Sequence, residues 1–141
     1  MYKYRKFGDK YVLSIDNHQK IGESIAAFCK ENNILAGAVY GIGAVNNVTL
    51  RFLNPVTMKY VDRTFEEQME ICNLTGNISE KDGQVYLHLH IILGRSDYTC
   101  VGGHLLEGTI NGACELVVER LDGPALPRYQ DSETGINLYD I

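Results

Sequence analysis

Three histidines are spaced so that one metal ion could lie between them. His88 and His90 stand two residues apart in Tyr86-Leu-His88-Leu-His90-Ile-Ile-Leu-Gly94, a run of strand formers, and His104 follows behind Gly102-Gly103. Side chains alternate across a strand, so His88 and His90 share a face with Tyr86 and Ile92, while Val85, Leu87, Leu89 and Ile91 take the other. Both faces are largely apolar. That pattern predicts either burial on two sides, or one face in a core and the other lining a cavity.

The third histidine depends on register. A three-residue turn centred on Asp97 sets His90 directly across from His104 in an antiparallel hairpin, and opposite residues share a face. A slip of one residue would send His104 to the far side, unless a bulge at Gly102-Gly103 restored it. Three imidazoles with an open fourth position form a catalytic-type zinc site, with Zn–N distances of about 2.0–2.1 Å. Cys100 has the parity of His104 and is a candidate fourth ligand. Glu70, Glu107, Glu115 and Glu119 are candidates to orient an imidazole or to act as base toward a metal-bound water, or are simply exposed strand carboxylates. The alternative for the histidines is a core role, satisfied by backbone carbonyls or by Tyr86 and Tyr98. His18 reads as solvated or as a capping group.

The elements that must position these residues follow from patterning. Tyr2 to Phe7 and Lys10 to Ile15 flank the turn dipeptide Gly8-Asp9 and read as a hairpin. Asp16 and Gln19 have the spacing of a capping box. Ile21, Ile25, Phe28 and Cys29 then recur at helical spacing, with Lys20, Glu23, Lys30 and Glu31 away from that stripe, until Asn32-Asn33 ends it. Ile34 to Val45 is glycine-laden and strand-like, and Gly41-Ile-Gly43 lacks the third glycine and the helix of a dinucleotide loop. Strands are expected at Val48–Leu53, at a short edge Met58–Val61, at Phe65–Cys72 continuing to Ile78, and at Val85–Leu93, Thr99–Leu106 and Cys114–Leu121. Gly108 to Gly112 reads as a turn, and a short helix is expected near Arg63 to Gln68. The fold class is α+β: a single domain over residues 1–141, a largely antiparallel sheet of six to eight strands, one main helix and one or two short ones. The tail after Gly123-Pro124 ends on Ile136, Leu138 and Ile141 and is expected to dock.

Composition narrows the function classes. The 141 residues carry 13 Lys and Arg against 18 Asp and Glu, a net charge of −5, the wrong sign for a surface that neutralises phosphates throughout. The basic N-terminus has no apolar segment behind it, and Ile34–Val45 is too short to span a bilayer, so the chain reads as cytosolic with no membrane association. Cys29, Cys72, Cys100 and Cys114 form no Cys-x-x-Cys pair and read as reduced thiols packed as small hydrophobes.

Taken in order, several motifs resemble the PPC (plants and prokaryotes conserved) domain family. They are Gly22-Glu23, Gly41-Ile-Gly43-Ala44, Leu74-Thr-Gly76-Asn-Ile-Ser79, Asp82-Gly83 leading to His88-Leu-His90, Gly102-Gly-His104-Leu, and Arg128-x-x-Asp131-x-Glu133-Thr-Gly135. The resemblance spans nearly the whole chain and implies an α+β fold and a homotrimer. Plant members join the domain to AT-hook segments, and bacterial members are named as candidate DNA-binding proteins. This chain has no Arg-Gly-Arg-Pro core, Gly94-Arg95 being the nearest fragment; Lys3, Arg5, Lys6 and Lys10 could form a small basic patch. The triad His88, His90 and His104 is also similar to the zinc histidines of acetolactate decarboxylases. Two functions are therefore expected: a trimeric metal-binding regulatory module with a DNA or protein partner, or a small metal-dependent lyase or hydrolase taking a carbonyl or ester metabolite at a divalent metal, zinc foremost.

Overall fold

The computed structural model describes residues 1–141. Strand β1 (Tyr2–Phe7) turns at Gly8-Asp9 into β2 (Lys10–Ile15), as the turn chemistry predicts. Helix α1 (Ile21–Glu31) follows, and then β3 (Gly37–Asn54), β4 (Lys59–Phe65), β5 (Met69–Lys81), β6 (Gln84–Gly94) and β7 (Cys100–Arg120), with a small hairpin of β8 (Arg128–Gln130) and β9 (Asn137–Tyr139) at the end.

The first seven strands make one antiparallel sheet in the order β1-β2-β7-β6-β5-β3-β4. Long β3 pairs with β5 on one side and with β7 on the other, while β6 joins β5 to β7. Those four strands therefore close into a barrel, which removes their free edges. Its interior is filled by Val39, Leu74, Ile78, Leu89, Ile91 and Leu116, all buried. Helix α1 lays Ile21, Ile25, Phe28 and Cys29 against this core, and burying an aromatic such as Phe28 contributes roughly 1.5–3 kcal/mol.

Four sequence expectations need correction. The capping box at Asp16 and Gln19 does not form: the backbone there pairs with Ile110, and the helix starts later, behind Lys20, which makes no side-chain cap. The segment Arg63–Gln68 is not helical; Phe65 ends β4, and Glu67 instead pairs with Arg95 at 2.6 Å. The edge expected at Met58–Val61 is the longer strand β4. Finally, Gly108–Gly112 is no turn, because Cys100–Arg120 is one 21-residue strand. A side chain at Gly108 would stand 3.2 Å from Ile21 and 3.5 Å from Val48, so its glycine admits helix and neighbouring strand at close range within one long strand, whose pairing with β3 shifts register on either side of Ile110.

The cysteines divide. Cys29 and Cys114 are buried, and burial pushes both thiols up to about 12, while Cys72 and Cys100 are exposed. No helix is long and apolar enough to cross a membrane.

Candidate metal centre

β6 alternates as its sequence predicts. Leu89, Ile91 and Leu93 point into the barrel, and His88, His90 and Ile92 point out, so the second of the two burial patterns holds. The β6–β7 hairpin turns through Ser96-Asp97-Tyr98. The Tyr98 N–H donates to the Arg95 carbonyl at 2.8 Å, and the Arg95 N–H to the Thr99 carbonyl at 2.8 Å. Tyr98 takes the left-handed conformation (φ 65°) that closes a three-residue hairpin loop, and the Asp97 carboxylate accepts the Thr99 N–H at 2.9 Å. Counting back from this turn pairs Gly94 with Cys100 and His90 with His104, with no slip between. At Gly102 an added Cβ would sit 2.7 Å from the Ile91 carbonyl oxygen, so glycine lets β7 approach β6 two residues before the third histidine.

The three imidazoles converge. Ring centroids are 5.1 Å apart for His88 with His90, 5.1 Å for His88 with His104, and 5.5 Å for His90 with His104. One ring nitrogen from each lies within 4.8 Å of the other two, so small ring rotations bring them around one ion. Burial is the main cause that lowers the His88 pKa, helped by His90 and Arg128. The same cause, with His88, His90 and Arg51, takes His104 down to about 4. Such neutral imidazoles present lone pairs, which is the protonation state a metal requires. The donor set therefore fits a divalent cation, which three imidazoles would hold with room for a further ligand.

The three histidines line a cleft of about 850 Å³. The β3–β4 hairpin supplies one wall. There Arg51 sits opposite His104 across β3–β7 and opposite Asp62 across β3–β4, which puts Asp62, Arg51, His104, His90 and Thr75 in one cross-strand row. The Arg51 guanidinium donates to both Asp62 oxygens, at 2.7 and 2.8 Å, and lies 4.7 Å over the Tyr60 ring. This pair holds the Asp62 carboxyl below the usual carboxylate range. The docked tail supplies the facing wall through Gln130, Ile136 and Asn137. It is fixed by Arg128, whose Nε donates to Ser79 Oγ at 2.7 Å and whose Nη1 donates to the Asn137 carbonyl at 2.8 Å. The guanidinium stacks on Tyr86 and Tyr139, 4.9 and 4.1 Å from the ring centroids, and its Nη2 is buried without a partner.

The other sequence candidates lie elsewhere. Cys100 is exposed and pairs with Gly94, four residues or ~13 Å along the strand from His104, so it does not join the cluster. Glu107 accepts the N–H groups of Gly22 and Glu23 at 2.8 and 3.2 Å and caps α1 from across the fold. Glu119 pairs with Lys10 at 3.6 Å, and Glu70 and Glu115 line a separate recess beside Gly43. The carboxylate in the histidine row is Asp62. His18 is solvent-exposed, its ring 3.2 Å from the Asn17 amide.

A protein from Bacteroides thetaiotaomicron, described as a candidate DNA-binding protein, is 54% identical with a TM-score of 0.96, over 99% of this chain and 97% of its own. A protein from Archaeoglobus fulgidus, described as metal-containing, is 31% identical with a TM-score of 0.88, over 99% and 97%. At fold level only, the chain is similar to a Staphylococcus aureus protein described as similar to alpha-acetolactate decarboxylase, with 12% identity, a TM-score of 0.55, and 84% and 54% of the two chains covered. No curated protein matches the sequence. Residues 2–122 match the Plants and Prokaryotes Conserved (PCC) domain, and the chain belongs to that family.

Proposed function

We propose that His88, His90 and His104 bind one divalent metal ion, with zinc the best chemical match, and that the cleft admits a small molecule to the ion's open position. The observation that carries this reading is the convergence of three ring nitrogens within 4.8 Å, with no further His, Cys, Asp or Glu in the group. Imidazole ligands suit zinc, iron, copper and nickel, and a three-histidine set with an open position is the zinc arrangement used for chemistry rather than for a closed structural tie. When bound, the ion supplies a Lewis acid that polarises a carbonyl or carboxylate oxygen or activates a water, the chemistry of a small lyase or hydrolase. Elemental analysis of untagged protein tests the reading: one metal per chain in the wild type and none in His104→Ala is the expected result, and metal-free wild type overturns it.

We infer too that the chain works as a homotrimer in the cytoplasm. Exposed Phe52, Tyr60 and Val61 on the β3–β4 hairpin support assembly, and four free cysteines suit a reducing compartment. Equilibrium sedimentation at the monomer mass would refute the trimer.

A second reading, association with DNA, is favoured by the description of the Bacteroides relative. The net charge of −5 confines such contact to a local patch, for which the β1–β2 hairpin offers Lys3, Arg5 and Lys6, Lys10 being paired with Glu119. A DNA titration at low and high salt tests it, and absence of binding at low salt removes it.

A further inference from the structure

We propose that residues 128–139 form a strap that docks on the three-histidine cleft and releases from it as one unit, with Arg128 as its latch.

Backbone bonding separates this segment from the barrel. Val118 is the last buried residue of the chain. Beyond it the main chain is still tied down at Leu126, whose carbonyl accepts the Glu80 N–H at 2.8 Å and whose N–H donates to the Leu35 carbonyl at 3.1 Å, with Pro127 bridged to Glu80. After Pro127 every backbone bond stays within the tail. β8 pairs only with β9, the Asp131 N–H donates to Ile136, the Gly135 N–H to Asp131, and the Asp140 N–H returns to Pro127. The hairpin is therefore a sheet of its own, hinged where Pro127 meets Arg128. Two paired strands of three residues each are marginal alone in water, so the hairpin is ordered by its docking and is lost or kept whole.

That docking rests on side chains. Arg128 Nε donates to Ser79 Oγ at 2.7 Å and Asn137 Nδ2 donates to Tyr86 Oη at 3.2 Å, and these are the two hydrogen bonds that join strap to barrel. The Arg128 guanidinium also lies between Tyr86 of the barrel and Tyr139 of the strap, so one cation stacks on both. The same side chain carries the weakness of the docked form. It pairs with no carboxylate, and its Nη2 is buried without an acceptor. Release returns that N–H to water, which offsets part of what is lost with the two hydrogen bonds and the stacking. Docked and released forms are thereby brought close in free energy, as a segment that opens without unfolding the core requires.

Release changes the cleft. Gln130, Gly135, Ile136 and Asn137 leave its lining together, and Tyr86 and His88 lose the wall that faces them. The docked strap encloses a small molecule that the released form admits and lets go. That use rests on the cleft being a ligand site, whereas the motion itself depends on neither ligand nor metal.

The test therefore adds neither. Amide hydrogen exchange is followed by mass spectrometry of overlapping fragments from wild type, Arg128→Met, Arg128→Lys and Ser79→Ala. In wild type, amides across 128–139 should exchange together, on the order of a hundredfold faster than those of β5, β6 and β7. Arg128→Met, which removes the cation and its hydrogen bonds, should speed exchange of the strap by on the order of tenfold and leave the barrel strands unchanged. Arg128→Lys and Ser79→Ala should fall between the two. Chymotrypsin reads the same opening through the bonds after Tyr129, Leu138 and Tyr139, and cleavage there under native conditions should rank the four proteins in the same order. A strap as protected as the barrel overturns the proposal. So does a gradient of exchange that starts at Ile141 and leaves Arg128–Gln130 as slow as β5, or a folded Arg128→Met protein in which strap and barrel exchange faster by the same factor. Unchanged exchange in Arg128→Met overturns the latch. The wild-type comparison decides the motion even where a variant fails to fold.

Discussion

His90 and His104 face one another across β6–β7, with ring centroids 5.5 Å apart, because the turn between them is centred on Asp97. The cluster is thus a product of register, and for the metal site proposed above removal of either ring would leave two donors of the three. His104→Ala should lower metal affinity by more than the roughly 10–100-fold that loss of an outer hydrogen-bond partner causes. Its metal-free form should unfold at close to the wild-type midpoint, since the His104 ring is only half-buried and the core below it is untouched. A competition titration with a chromophoric chelator reads the first effect, and urea unfolding of both apoproteins reads the second.

Acid should act through the same rings. His104 titrates near pH 4 in the folded apoprotein and near about 6.5 in the unfolded chain, so the unfolded state binds the extra proton between those values. Its contribution to stability is fully present above about pH 6.5 and is lost as pH falls toward about 4; His88, shifted in the same direction, adds to the slope. The urea midpoint of apoprotein should therefore fall from pH 7 to pH 4.5, and a smaller fall in His104→Ala would assign the difference to this ring. Protons also compete only weakly for His104 near pH 5.5, so a metal bound there should survive dialysis at that pH.

Gly102 can be tested by a methyl group. An Ala there places its Cβ against the Ile91 carbonyl at 2.7 Å, a clash relieved only by moving β7 away from β6. Gly102→Ala should cost about 1–3 kcal/mol and loosen metal binding as well, because the next turns of the ladder set His104. Urea unfolding with elemental analysis covers both, and a variant with wild-type stability and metal content would remove the close-approach argument.

Glu107 acts on a different part of the molecule. It receives two N–H groups at the start of α1, where Lys20 gives no cap, and its charge opposes the helix dipole. Glu107→Ala should destabilise by roughly 1–2 kcal/mol with metal content unchanged. Loss of metal in this variant would mean that Glu107 serves the histidines after all.

The histidine register was legible because strand alternation and turn length are both local. Two signals within fourteen residues, the period of two in Tyr86–Ile92 and the Asp97-centred turn, determine where three rings meet. The site's second half was not legible, for reasons that are equally physical. Arg51 meets Asp62 only if β3 turns at Asn54-Pro55 and returns as a full strand, whereas the polar run after Arg63 imitates a helix. A local clue existed in Asn54, whose side-chain oxygen accepts the N–H groups of Val56 and Thr57, the hydrogen bonds that fix that turn. Gly108 misled for the opposite reason: its missing side chain serves tertiary packing, which no local rule reports. The helix cap was hidden by distance, since Glu107 lies 85 residues from Gly22.

The family match stops at residue 122, and the histidines fall inside it, whereas Gln130, Ile136 and Asn137 of the cleft wall lie beyond it. The terminal hairpin, held to the barrel through the side chain of Arg128, thus completes a cleft whose histidines and other walls the barrel strands and the β3–β4 hairpin carry.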